Sequence, residues 1–196
     1  MKKLIILLII LILCTTGCTS NANEEKEKYM SGKVNAEIVV KDMGTISLEL
    51  DADTAPITVT NFVKLVNEKF YDGLTFHRII DGFMIQGGDP NHDGTGGSEE
   101  KIKGEFLANR IDNNISHKRG VISMARRGDS YDSASSQFFI VHEDSTFLDG
   151  QYAAFGNVTD GMDIVDKIAT GTKVEDDNGT TLYENQPIIE TIRVVE

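Results

Sequence analysis

The chain has 196 residues, enough for one domain with a substantial core and marginal for two. It carries 19 Lys and Arg against 31 Asp and Glu, a net charge of −12, which argues against nucleic-acid partners. Hydrophobic content of 40% argues against wholesale disorder, and with both cysteines within the first 18 residues the rest has no disulfide, thiolate metal site or Cys nucleophile.

Met1-Lys2-Lys3 is a short basic start, followed by an unbroken Leu and Ile run over residues 4–13. That run is too short to span a bilayer as a helix, which takes about 20 residues, and suits the apolar part of a secretory signal. Thr15-Thr16-Gly17-Cys18 then resembles a bacterial lipoprotein signal, in which a cysteine after small residues is lipidated and becomes the new N-terminus. Gly17 fits that pattern. Thr15 departs from the usual aliphatic residue, and Cys14 is the poorer acceptor because bulky Leu13 precedes it. An ordinary signal or an uncleaved anchor is the alternative. The resemblance implies residues 1–17 as signal peptide, Cys18 as the lipidated residue, and a protein held outside the cytoplasm on the bacterial cell membrane by its acyl chains alone. Residues 18–34 are polar, charged and aperiodic, and are expected to form a flexible spacer.

Residues 35–196 have the patterning of a folded domain. Strands are predicted at 36–40 and, from alternating Ile46, Leu48 and Leu50, across the turn at Met43-Gly44. Pro56 suits the first turn of a helix carrying Val59, Phe62, Val63, Val66 and Phe70 on one face, which Gly73 ends. Asp81-Gly82 between the apolar runs 74–80 and 83–86 is a hairpin signal. Alternation along the first run turns residues 76, 78 and 80 one way and 77 and 79 the other. Further strands are predicted at 121–125, 138–141, 153–156 and 188–195. A second helix is predicted over 162–169, with Asp160 as cap and Gly171 as stop. Many short strands with two helices indicate a mainly β protein, a closed antiparallel barrel or a sandwich. Residues 87–117 form a long weakly periodic stretch, which is usually functional in a small domain.

Several motifs invite chemistry. Asp89, Asn91, Asp93 and Gly94, with Glu100 at the twelfth position, match the calcium loop of an EF-hand, but an apolar strand stands where a helix is required and Gly96 replaces the usual aliphatic residue. Arg127-Gly128-Asp129-Ser130 reads as an adhesive tetrapeptide and equally as turn chemistry. His142-Glu143 opens a zinc-protease pattern whose second His is missing at Thr146-Phe147, and no Ser sits in a nucleophile elbow. No metal site and no cofactor are predicted.

Five blocks, in order, resemble the cyclophilin-type peptidyl-prolyl isomerases. They are Phe76-His77-Arg78-Ile79-Ile80-Asp81-Gly82-Phe83-Met84-Ile85-Gln86-Gly87-Gly88-Asp89; Gly94-Thr95-Gly96-Gly97; Gly120-Val121-Ile122-Ser123-Met124-Ala125-Arg126; Ser136-Gln137-Phe138-Phe139-Ile140; and Phe147-Leu148-Asp149-Gly150-Gln151-Tyr152-Ala153-Ala154-Phe155-Gly156. The resemblance implies a closed eight-stranded antiparallel barrel capped by two α-helices, and peptidyl-prolyl cis-trans isomerisation without a cofactor. It implies Arg78 as catalytic cation with Gln86 beside it; Phe83, Met84, Phe139 and Leu148 lining a proline pocket; Gln86 and Gln137 holding the substrate backbone; and Ala125 and Arg126 on the strand that pairs with the peptide. Arg126 stands where many members have Asn, Phe147 where many have Trp and Tyr152 where many have His, the last two at the pocket rim. The implied partners are proline-containing peptides and unfolded or secreted client proteins, with weak binding of cyclosporin; a monomer is expected. A lipid-anchored chaperone module that holds prolines with little turnover is the rival class, and a calcium-binding or adhesive surface lipoprotein a third.

Overall fold

The computed structural model describes residues 28–196. The predicted signal, Cys18 and most of the spacer lie outside these residues. β1 (Lys33–Val40) and β2 (Gly44–Asp51) show why the sheet forms: Val34, Ala36, Ile38 and Val40 turn inward, as do Ile46, Leu48 and Leu50, while the residues between them reach solvent. The two pair antiparallel with Ile38 opposite Ile46. β1 begins at Lys33 instead of residue 36, because Lys33 lies opposite Asp51 and their side chains meet at 2.9 Å. The tail of the predicted spacer is also tied down, with Met30 N–H donating to Thr60 Oγ1 at 2.8 Å.

The remaining strands are β3 (Phe76–Ile80), β4 (Met84–Gly87), β5 (Val121–Met124), β6 (Phe138–Val141), β7 (Ala154–Asp160) and β8 (Ile189–Val195). Their lateral order is β3-β4-β6-β5-β7-β2-β1-β8, every neighbouring pair antiparallel. The eight strands curl into a half-barrel that stays open, which corrects the expected closed barrel. Among the described residues the two edges meet only in a short stretch around the Thr75–Ile188 bridge, where Gly73 N–H donates to Ile189 O at 2.8 Å, Ile189 N–H to Leu74 O at 2.8 Å and Phe76 N–H to Pro187 O at 3.0 Å. Beyond that bridge residues 179–181 occupy the outer edge of β3: Ile79 N–H donates to Gly179 O at 2.9 Å, so β8 finds no partner there. Gly179 sits at φ +79°, and a Cβ on it would collide with the Ile79 carbonyl.

α1 (Pro56–Asn67) and α2 (Met162–Gly171) bury their apolar faces in the same core as the inward-facing strand residues. α1 buries Val59, Phe62, Val63 and Val66 as its spacing predicts. It ends earlier than expected, because Lys69 turns left-handed at φ 61° and Phe70 leaves the helix to pack against Tyr71. Its first amides are held from a distance: Glu105 accepts from Ile57 N–H at 3.0 Å and Thr58 N–H at 2.8 Å, anchoring the long stretch to the helix. Burial raises the Glu105 carboxyl above the usual range despite those bonds. α2 starts at Gly161, φ 88°, with no side-chain cap; Asp160, the expected cap, still belongs to β7. Phe62 is the centre of the core, within 5.2–5.7 Å of the rings of Tyr71, Phe155 and Phe138.

Candidate active site

β3 carries one residue too many. Phe76 lies opposite Gly87 and Arg78 opposite Gln86, so His77 is a bulge and strict alternation fails there. Phe76 and Ile79 therefore enter the core, whereas Arg78 and Ile80 turn to the outer face, correcting the expectation that 76, 78 and 80 share a side. On that outer face Met84, Phe139 and Leu148, with Ile80, Phe83, Ala125 and Tyr152, form a second apolar cluster separate from the core.

A cleft of about 760 Å³ opens over this cluster. Arg78, Phe83, Met84, Gln86, Ala125, Arg126, Phe139, Leu148 and Tyr152, residues scattered over 75 positions of sequence, all line it. Gln137 stands behind Gln86, and Phe147 is 66% exposed on the rim with its ring 5.5 Å from Phe83.

Arg78 is half-buried and clamped. Its Nε donates to Asn178 O at 2.9 Å, Nη2 to Asn178 Oδ1 at 3.1 Å and Nη1 to Gln86 Oε1 at 3.3 Å. No carboxylate among the described residues pairs with it. Burial lowers its pKa from the ordinary value, and it remains a cation at any physiological pH. The polarity of the amides beside it is fixed from the far end. Gln137 Nε2 donates to Gly94 O at 3.1 Å and Gly96 O at 2.8 Å, and those carbonyls can only accept. Gln137 Oε1 must then accept from Gln86 Nε2, at 2.8 Å, which leaves Gln86 Oε1 for the guanidinium. Two backbone carbonyls thus orient a chain of groups ending on Arg78.

The apolar wall is braced from behind. Phe139 stacks on His117 with centroids 6.0 Å apart and meets Tyr152 edge-on at 5.9 Å. His117 Nδ1 lies 2.9 Å from Asp149 Oδ1 and Nε2 3.0 Å from Ser123 Oγ. The triplet has the connectivity of a nucleophilic relay, but His117 and Ser123 are both 0% exposed, so no substrate reaches the hydroxyl. It holds a ring in place.

The residues of the remaining motifs make contacts within the fold. The Asp89 carboxylate is fully buried and accepts from the N–H groups of Asn91, Asp93 and Gly94, shaping its own loop. Arg127 and Asp129 are exposed and pair with each other. His142 Nδ1 accepts from Gly82 N–H at 3.0 Å and so pins the hairpin turn that carries Phe83.

Two contributors were missed in the sequence. His77 lines the cleft 4% exposed, with neither ring nitrogen hydrogen-bonded among the described residues; only the bulge, which alternation hides, turns it there. Asn178 follows two acidic residues and precedes Gly179, a legible turn, but its contact with Arg78 spans 100 positions and leaves no local signal.

Burial lowers the pKa of both His77 and His117; the Asp149 hydrogen bond only partly offsets this for His117. The unfolded chain therefore binds more protons than the fold below about pH 6.5, and stability falls as the pH falls. Each imidazole contributes up to about 1.4 kcal/mol per pH unit in that window. Urea unfolding at pH 7.5, 6.5 and 5.5 is expected to show this loss, with a shallower slope in His77→Leu; a flat profile would contradict it.

An open eight-stranded antiparallel half-barrel with two helices and an outer cleft joining one clamped arginine to an apolar wall defines a cyclophilin-like protein. The family model for cyclophilin type peptidyl-prolyl cis-trans isomerase/CLD matches residues 35–194. The chain is 46% identical over 133 residues to peptidyl-prolyl cis-trans isomerase B of Bacillus subtilis, covering 68% of this chain and 89% of that protein. It is 44% identical over 154 residues to a peptidyl-prolyl cis-trans isomerase of Helicobacter pylori, covering 78% and 90% respectively. The crystal structure of a Cryptosporidium parvum cyclophilin in the presence of the dipeptide Ala-Pro is similar with a TM-score of 0.73 at 27% identity, over 83% of this chain and 99% of that one. The chain belongs to the cyclophilin-type family and is a peptidyl-prolyl cis-trans isomerase.

Proposed function

We propose that this isomerase acts outside the cytoplasm on X–Pro bonds of peptides and folding proteins, using Arg78 to favour the twisted prolyl amide. The observation that carries this is a half-buried guanidinium, free of any carboxylate among the described residues, beside the apolar wall of Phe83, Met84, Phe139 and Leu148.

Rotation of a peptide bond must break amide resonance, a barrier of about 18–20 kcal/mol. In the twisted state the prolyl nitrogen pyramidalises and regains a lone pair. A guanidinium N–H held near that nitrogen donates to it only then, which is stabilisation confined to the transition state. The carbonyl loses polarity in the same step, so an apolar wall favours the twisted state over water. Gln86 and Gln137 hold the substrate backbone, and the segment at Ala125 and Arg126 offers a strand edge for the peptide. Acceleration on the order of 10⁵ takes about 7 kcal/mol from these effects together. No covalent intermediate or general base enters. A protease-coupled assay of a short proline peptide with the full chain tests the reading: acceleration proportional to enzyme supports it, and its absence refutes it.

Attachment to the membrane through Cys18 rests on the apolar run ending at Gly17-Cys18. Cys18→Ser is expected to release the protein from membranes or block its processing. Mass spectrometry of the native N-terminus should find a lipidated cysteine; an N-terminus at Thr19 would refute it.

Cyclosporin is expected to bind weakly. Phe147 presents an exposed phenyl ring on the rim and has no donor for a drug carbonyl. A carbonyl left without its partner costs about 1–3 kcal/mol, or roughly ten- to a hundredfold in affinity. Phe147→Trp should therefore be inhibited more tightly by a comparable factor. Equal inhibition constants for both forms would remove the missing indole as the cause.

A further inference from the structure

The side chain of Arg126, the second arginine of the cleft, has no role in the chemistry above, which uses only its backbone. Arg126 is half-buried, lines the same cleft as Arg78, and pairs with no carboxylate among the described residues. Its neighbour shows the contrast, since Arg127 is neutralised by Asp129 at 2.5 Å. An unpaired, half-buried cation in a chain of net charge −12 is unusual company.

Its position is also held by several contacts. The guanidinium carbon lies over three aromatic rings, 4.7 Å from the centroid of Tyr152, 5.1 Å from Tyr131 and 5.4 Å from Phe106. Nε donates to Gln151 O at 3.0 Å and Nη1 to Arg127 O at 2.9 Å. Contact with aromatic rings uses none of the guanidinium's N–H donors. Of the five N–H groups, the two on Nη2 and one on Nη1 have no acceptor among the described residues. Tyr152 ties this arrangement to the proline wall through its edge contact with Phe139. No hydrogen bond among the described residues takes up the backbone N–H of Arg126 either, so a peptide pairing at this edge passes directly by the side chain.

We infer that Arg126 is a specificity site for a carboxylate on the substrate, the side chain of a Glu or Asp within a few residues of the isomerised proline. The planar fork of donors matches a carboxylate, and its geometry is set before substrate arrives, so little ordering opposes the contact. The inference rests on the isomerase reading of this cleft and deepens it.

The test is a peptide series with one proline, in which Glu is moved through each position on either side and compared with Gln at the same position. The full chain is expected to favour Glu at one position by about three- to tenfold in kcat/KM. That preference should shrink in 0.5 M salt, as screening requires. In Arg126→Gln the Glu-to-Gln ratio should fall to about one, whatever happens to each absolute rate. Arg126→Lys should keep part of the ratio, having the charge without the stacked fork. A ratio near one at every position in the native chain overturns the inference alone, as does a preference that survives Arg126→Gln. No turnover of either peptide overturns the isomerase reading and the inference with it. Should Arg126→Gln fail to fold, the salt dependence of the native ratio and Arg126→Lys decide in its place.

Discussion

Arg78→Ala is expected to lower kcat/KM for a proline peptide at least tenfold, about 1.4 kcal/mol of transition-state stabilisation. The fold should survive. Arg78 lies on the outer face, and its partners are the Asn178 carbonyl, the Asn178 amide and Gln86, all at the cleft and within reach of water once the side chain is gone. A fall in Tm of no more than about 5 °C is expected. Arg78→Lys is the companion variant: it keeps a charge but cannot reproduce the fork that Asn178 and Gln86 orient, so most of the loss should remain. Full activity in Arg78→Ala would remove the guanidinium from the mechanism.

Phe138→Ala should do the reverse. Phe138 faces the core, fully buried, with ring centroids of Phe62 and Tyr71 at 5.7 Å and Phe76 at 6.2 Å. Removing a packed phenyl ring typically costs about 3–5 kcal/mol, because the lost transfer energy is compounded by the cavity left behind. Denaturant unfolding should show that loss, while kcat/KM per folded molecule stays within about twofold of native, since the adjacent Phe139 alone of the pair faces the cleft. The contrast between Arg78 and Phe138 tests the division of the sheet into a structural and a chemical face. Equal damage to both properties in both variants would deny it.

That division was partly legible in the sequence. Regular alternation at Ile46, Leu48 and Leu50 marks a strand with one buried face, and the Asp81-Gly82 turn fixes the β3–β4 hairpin. All eight strands sit near their expected places. What failed did so where a contact far off in sequence overrides a local pattern. The extra residue at His77 is an event of pairing with β4, invisible in β3 alone. The sheet stays open because residues 179–181 reach β3 before β8 can, a competition between segments about a hundred residues from the strand they cover. The cap of α1 comes from Glu105, 48 positions from Ile57. Likewise the sequence places Arg126 on the peptide-pairing strand only through the family resemblance; the fold alone sets its side chain against Phe106, Tyr131 and Tyr152 and leaves Arg127 to Asp129. The residues of the site were legible because five blocks resemble a known family, whereas the clamp on Arg78 depends on Asn178, which belongs to none of those blocks.

Exchange spectroscopy by NMR addresses the central claim most directly, because it sees binding and isomerisation in one sample. A short peptide with one proline, at equilibrium between its cis and trans forms, exchanges over tens to hundreds of seconds without catalysis. With catalytic amounts of the full chain, cross-peaks between the two forms should appear at sub-second mixing times, and they should weaken at least tenfold with Arg78→Ala at the same concentration. Peptide resonances that shift on binding while the two forms exchange no faster than in buffer would contradict the account and identify a module that holds prolines without turning them.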